Sequence, residues 1–189
     1  ICRLIKERIP EPISWRATTR SSLLTQEMCH EMASAGCKVV SIGLESGSNT
    51  VLKAMQKQTT IEIQKRGLEY CKNAGISVKG FFIFPLPSET KETAEQTKEW
   101  AKSLIKEGLL QYADMYVLTP YPNTQFWNNP EKYGIEIEYP KDSDWNEYFQ
   151  IGANQDFNIK IKHPNFDNEE IKTYMKRWHE EIIIPGMTI

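Results

Sequence analysis

The stretch VKGFFIFPLPSETKETAEQTKEWAKSLIKEGLLQYADMYVLT, Val78 to Thr119, decides the fold. It opens on a β-rich run, VKGFFIF, passes through a helical pattern, ETAEQTKEWAKSLIKEG, and closes on a second β-rich run, ADMYVLT. A chain that must return to the same end of a sheet needs a long crossover, so strand, helix and strand in this order read as one parallel βαβ unit. FFIF and MYVL are apolar at nearly every position, which predicts strands covered on both faces, as in a barrel or a doubly wound sheet.

Outward from this unit the alternation continues toward the N-terminus. ISWRATT from Ile13, LLTQEMCHEMASAG from Leu23, VVSIGLE from Val39 and TIEIQKRGLEYCKNAG from Thr60 extend it to βαβαβαβ between Ile13 and Thr119. Such alternation implies an α/β fold with a parallel sheet. Gly36, Gly75 and Gly108 stand where a helix ends and a left-handed cap is wanted. Thr59 with Glu62 fits a capping box. Leu24, Met28, Met32 and Ala35 give the first helix an apolar stripe, as Ala94, Ala101, Leu104 and Ile105 do for the third.

After Thr119 the texture changes to PYPNTQFWNNPEKYG, a long loop folded over something rather than a linker. A weak strand, FNIKIK, and a helix from about Asn168 to Ile183, started by the Asp167 and Glu170 capping pair, complete the chain. Residues 1–127 therefore read as the main unit, and residues 128–189 as a C-terminal extension packed on it.

Composition narrows the function classes. A chain of 189 residues with 40% hydrophobic content can bury one sizeable core. A net charge of −2 gives no broad attraction for nucleic acid or an anionic membrane. No apolar run approaches the roughly 20 residues that span a bilayer, and ICRLIKERIP lacks a signal-peptide pattern, so the expected location is cytoplasmic. Cys2, Cys29, Cys37 and Cys71 have no CxxC or CxxxCxxC spacing and read as reduced core thiols. The start at Ile rather than Met reads as an excised piece of a longer protein.

Further motifs subtract more than they add. There is no GxSxG elbow, P-loop or GxGxxG after a strand. His30, His163 and His179 share no metal-like spacing and read as surface or interface residues. Aromatics in QFWNN, SDWNEYF and RWHEE read as packing the tail onto the main domain. KEWAKSLIKE and IKTYMKRWHEE read as solvated helix faces.

In parallel α/β folds the ligand sits outside the carboxyl ends of the strands. The residues to inspect are therefore Thr18 to Arg20, Glu45 and Ser46, Pro85 to Glu89, and Thr119 to Asn123. An apolar strand that ends in a charge, as VVSIGLE does at Glu45, presents that charge to a pocket at the rim. Taken without family evidence, a strand-end glutamate reads rather as a solvated charge or a cap for the next helix.

A family resemblance bears on this choice. GLESGSNTVLKAMQKQTT (Gly43 to Thr60), VKGFFIFPLPSET (Val78 to Thr90) and VLTPYPNT (Val117 to Thr124) resemble, in that order, the later strands of the radical S-adenosylmethionine (SAM) superfamily barrel. The likeness is to the subgroup whose members often carry a cobalamin-binding domain upstream. ISWRATTR matches the preceding strand, with Arg20 where such sequences commonly place an arginine. The resemblance implies a partial (β/α)6 TIM-like barrel of which this chain supplies strands three to six. It implies that the parent enzyme reductively cleaves SAM at a 4Fe-4S cluster and makes a 5′-deoxyadenosyl radical, with cobalamin supplied through an upstream domain. Glu45 matches the family's polar strand-end residue for the ribose or methionyl part of SAM. Lys57 matches a basic residue that meets the SAM carboxylate, and it also reads as an exposed linker lysine. Backbone groups of Phe84 and Leu86 are expected to flank adenine, with Thr119 at the next strand end.

Two departures from the family pattern limit these expectations. The usual Gly-Leu-Pro-Gly-Glu-Thr is Pro85-Leu86-Pro87-Ser88-Glu89-Thr90 here, and proline has no N–H to donate. The cluster's CxxxCxxC loop is absent from this chain, which predicts a fragment inactive by itself. A noncatalytic α/β binding or scaffolding module from the same barrel is the alternative. The substrate is a small molecule or of unknown class, with no membrane or nucleic-acid partner indicated. With its neighbouring strand removed, ISWRATT becomes an exposed edge that invites a homodimer.

Overall fold

The structure is a computed structural model and describes residues 1–138 and 159–182. In chain order its elements are α1 (Cys2–Arg8), β1 (Trp15–Thr19), α2 (Gln26–Ser34), β2 (Cys37–Glu45), α3 (Asn49–Ala54), α4 (Ile61–Asn73), β3 (Ser77–Phe84) and α5 (Lys91–Lys106). There follow β4 (Tyr112–Val117), α6 (Gln125–Asn128), β5 (Glu136–Ile137), β6 (Ile161–Lys162) and α7 (Asn168–Glu181). Strands β1 to β4 form one parallel sheet in chain order, so every crossover returns to the same edge. Strands β1 and β4 are its outer members; β5 and β6 form a separate antiparallel pair.

Local sequence signals explain the boundaries. Gly36, Gly75 and Gly108 all have φ between 68° and 94°, which a side chain adopts only with strain, and each reverses the chain into the next strand or loop. Helix α7 starts on the expected reciprocal cap of Asp167 and Glu170. Helix α4 is capped one residue later than the sequence suggests. Thr60, with extended backbone, accepts the Ile63 N–H, while the Thr59 hydroxyl is buried without a partner in the structure.

The long helices cover one face of the sheet, and the other face is only partly covered, by α6 and the turn after it, which corrects the expectation of two fully covered faces. Along β3, Val78, Gly80, Phe82 and Phe84 are buried, whereas Lys79, Phe81 and Ile83 remain partly open. Alternate side chains point to opposite faces of a strand, so this pattern means one buried and one half-open face. The covered face packs Val40, Ile42, Phe82 and Met115 against Cys29 and Met32 of α2, Leu68 and Cys71 of α4, and Ala101 and Leu104 of α5. The buried stripe of α2 runs through Cys29 and Met32, and Met28, about 100° round the helix from Cys29, is 44% exposed.

Helix α7 belongs to this same core. The Trp178 indole N–H donates to the Ala113 carbonyl at 3.0 Å, and the Tyr174 hydroxyl donates to the Ala94 carbonyl at 2.6 Å. Mixed charge misled the reading of α5 and α7 as merely solvated. Lys98 is fully buried, its ammonium held by Glu95 and Glu181 at 2.9 Å each, so charge here joins two helices rather than facing water. The segment SDWNEYF and residue 183 lie outside the described residues.

Candidate functional site

Because the four strands are parallel, the residues that follow them emerge along one edge. Glu45 closes β2 with φ +66°, an unfavourable value for a residue with a side chain. The pairing of β2 with β3 is irregular between Gly43 and Glu45, which partner Phe81 and Phe82. The slip gives Glu45 its direction. Its carboxylate meets the Lys57 ammonium at 2.5 Å, with side chains 13% and 17% exposed.

Lys57 lies in the turn after α3, between Gln56 and Gln58, which both have positive φ. Its amide donates to Leu52, and its carbonyl accepts from the Arg20 guanidinium at 2.5 Å. Three predicted residues, Arg20, Glu45 and Lys57, are thus brought together, with Arg20 holding the backbone of the turn. Gly43 completes the corner: a Cβ there would lie 2.3 Å from Glu45 Oε1 and 3.3 Å from Lys57 Nζ.

Glu45 also lines a cavity of about 680 Å³, whose walls include Phe81, Ile83, Tyr116, Phe126 and Tyr133. Thr119 is on the same rim, its hydroxyl donating to the Val117 carbonyl at 3.4 Å. The loop after β4, read as folded over something, covers this cavity through α6 and the turn that follows.

Phe84 and Leu86 lie elsewhere. Both are buried on the protein side and line no part of the cavity. The Phe84 carbonyl accepts from Leu118 N–H, the Leu86 N–H donates to the Glu89 carboxyl at 2.9 Å, and the Leu86 carbonyl contacts His163 Nε2 at 3.1 Å. The polar groups expected at adenine are therefore engaged within the protein. His163, expected at a surface or an interface, is 8% exposed, because the β6 segment docks on the loop after β3.

Sequence reasoning gave no separate role to Glu89. It is 1% exposed, and burial pushes its carboxyl up to about 8. The folded state then keeps a proton that the unfolded chain loses near 4.5, so the Glu89 contribution to stability falls as pH rises from about 4.5 to 8. His163 acts in the opposite sense. Burial lowers its pKa below 6.5, so its contribution rises as pH climbs toward that value. Glu89→Gln keeps an acceptor for Leu86 N–H and removes the titration. The stability difference between variant and parent is expected to grow from pH 5 to 8 with a slope of at most about 1.4 kcal/mol per pH unit. Urea unfolding at several pH values measures it, and a flat difference refutes the buried-acid assignment.

Comparison with known proteins bears on the family and the fold. The model of the Radical SAM superfamily matches residues 1–101. The chain belongs to the radical SAM superfamily. An uncharacterized methyltransferase of Pyrococcus horikoshii is 30% identical over 165 residues, 87% of this chain and 33% of the relative. The anaerobic magnesium-protoporphyrin IX monomethyl ester cyclase of Rubrivivax gelatinosus is 31% identical over 112 residues, 58% of this chain and 20% of the relative. This radical SAM chain thus spans about a third or less of these relatives' length. Among solved structures, the radical SAM methyltransferase TsrM from Kitasatospora setae, with cobalamin and a [4Fe-4S] cluster bound, aligns with a TM-score of 0.58 at 19% identity. That alignment covers 74% of this chain and 29% of TsrM. The parallel sheet of this radical SAM chain is accordingly part of a TIM-like barrel.

Cluster ligation does not fit the cysteines of this radical SAM chain. Cys29, Cys37 and Cys71 are buried in the helix-covered core, Cys29 Sγ lies 3.9 Å from Cys71 Sγ, and burial raises all three thiols. A cysteine binds iron as its thiolate. Among the described residues no group of three or more His, Cys, Asp or Glu side chains is placed to hold a metal ion, and no helix is long and apolar enough to cross a membrane.

Proposed function

We propose that this chain supplies the SAM-binding edge of a radical SAM catalytic domain, with Glu45 and Lys57 holding the polar end of the cofactor. The observation that carries the reading is the Glu45 carboxylate, set at positive φ on the strand-end edge, paired with Lys57 and open to the 680 Å³ cavity. Backbone strain of this kind persists where the surroundings enforce it, and it gathers at functional sites.

The donor set fits SAM. A carboxylate accepts from two ribose hydroxyls or from the methionyl ammonium, and an ammonium meets the methionyl carboxylate. Gly43 leaves the space in which the Glu45 carboxylate sits, and Arg20 fixes the turn that carries Lys57. When bound and reductively cleaved, SAM supplies a 5′-deoxyadenosyl radical. The residues of this chain bind and orient it; ligation of the 4Fe-4S cluster and of cobalamin is proposed for other parts of the gene product.

Anaerobic reconstitution of the complete gene product tests the proposal. The expected results are bound iron and sulfide, SAM binding by calorimetry, and 5′-deoxyadenosine after reduction. Glu45→Ala is expected to weaken SAM binding by about 10-fold or more, the worth of one charge-assisted hydrogen bond. A complete protein that binds neither cluster nor SAM, or an alanine variant that binds SAM as the parent does, refutes it.

A further inference from the structure

The cavity next to Glu45 has a chemistry of its own. Its walls carry two aromatic pairs: Phe81 meets Tyr116 edge to face at 5.8 Å between centroids, and Phe126 meets Tyr133 in the same manner at 4.8 Å. Its volume of about 680 Å³ falls within the roughly 300–1,000 Å³ range of small-molecule sites. Walls of this kind favour a flat unsaturated ring, which offers its faces and edges to aromatic neighbours.

One polar group on the inner wall is backed by charge. On the half-open sheet face, the Tyr116 hydroxyl donates to Asp114 Oδ2 at 3.3 Å, and Lys79 Nζ meets the same oxygen at 2.7 Å. Lys79 also lies 5.4 Å from the centre of the Phe81 ring. Alternation along β3 and β4 puts these side chains on one face, and the pairing of Phe81 with Asp114 and Ile83 with Tyr116 sets them side by side. With its proton directed at Asp114, the Tyr116 oxygen keeps lone pairs for a donor from the cavity. The carboxylate behind it makes that oxygen a better acceptor, and Lys79, 2.7 Å from Asp114 Oδ2, holds the carboxylate in place.

We propose that this cavity takes a planar heteroaromatic substrate carrying a ring N–H, and that Tyr116, held by Asp114 and Lys79, is the specificity-determining acceptor for that N–H. The proposal deepens the reading of the site given above and rests on it, since the ring lies beside the Glu45 edge where the adenosyl group reacts. Burial and the neighbouring Asp114 charge raise the Tyr116 phenol, so the hydroxyl stays protonated and its geometry is kept at neutral pH.

Two flat rings of similar shape test it on the complete gene product: indole, which has the N–H, and benzothiophene, which does not. Each is titrated into parent and Tyr116→Phe by calorimetry or ligand-observed NMR, with and without saturating S-adenosylhomocysteine. Tyr116→Phe is expected to weaken indole at least fivefold and benzothiophene less than twofold, with unchanged circular dichroism. Asp114→Asn is expected to weaken indole in the same direction. S-adenosylhomocysteine is expected to leave both affinities within twofold.

Equal effects of Tyr116→Phe on the two rings, or no binding of either at millimolar concentration, overturns the proposal. Mutually exclusive binding with S-adenosylhomocysteine also overturns it, by making the cavity the adenine pocket while leaving SAM binding intact. If the N–H preference holds and S-adenosylhomocysteine fails to bind, the SAM reading fails and the aromatic site stands.

Discussion

Trp178→Ala is expected to destabilise the protein by about 3–5 kcal/mol, a large share of the 5–15 kcal/mol that holds a typical domain together. Trp178 is fully buried, its ring centroid 4.9 Å from that of Phe82 at the middle of the sheet. Truncation opens a cavity between α7 and β3 and leaves the buried Ala113 carbonyl without its indole donor. Each unmade buried hydrogen bond adds about 1–3 kcal/mol. Trp178→Phe separates the two contributions: it keeps most of the ring packing, loses the N–H, and is expected to cost about 1–3 kcal/mol. The urea midpoint reports both. If Trp178→Ala unfolds at the parental midpoint, α7 is an accessory helix and not part of the core.

How far the sequence disclosed this varies from element to element. The parallel order of β1 to β4 was legible, because apolar runs, helical periodicity and glycine caps agreed with one another. The start of α7 was legible in the Asp167 and Glu170 pair, but its importance was not. Spacing shows which face of a helix is apolar and is silent on what that face meets. The burial of Lys98 was hidden for the same reason, since its partner Glu181 is 83 residues away in sequence.

At the site, Glu45 stood out because a charge ended an apolar strand, and its closeness to Lys57 followed only from the family resemblance. Its left-handed backbone and its contact with the Gly43 corner depend on the irregular pairing with β3, which leaves no trace in a single sequence. Asp114 and Tyr116 escaped notice because MYVL read as uniformly buried. Their two-residue alternation around Met115 was the available signal.

Two glycines four residues apart allow the site to be tested separately from the fold. At Gly43 an added Cβ collides with the far end of the Glu45 side chain, 2.3 Å from Oε1, and with no backbone atom among its nearest neighbours. The backbone there needs no positive φ, and alanine restricts the unfolded chain, so Gly43→Ala is expected to change stability by no more than about 1 kcal/mol. It must nevertheless push the carboxylate out of its corner and disturb the pairing with Lys57. SAM affinity is expected to fall about 10-fold or more, because a charge-assisted hydrogen bond depends steeply on placement.

At Gly47 the added Cβ would lie 2.8 Å from Thr97 Cα and 2.9 Å from Trp100 Cβ, where only movement of α5 relieves it. The Gly47 N–H also donates to the Thr97 hydroxyl, so the loop cannot retreat without breaking that bond. Gly47→Ala is expected to lose about 1–3 kcal/mol of stability and little SAM affinity in the molecules that remain folded. Thermal melts and SAM calorimetry on both variants of the complete gene product measure the contrast. If Gly43→Ala melts near the parent temperature and binds SAM with parental affinity, the position of the Glu45 carboxylate is irrelevant to the cofactor and the strand-end site is misassigned.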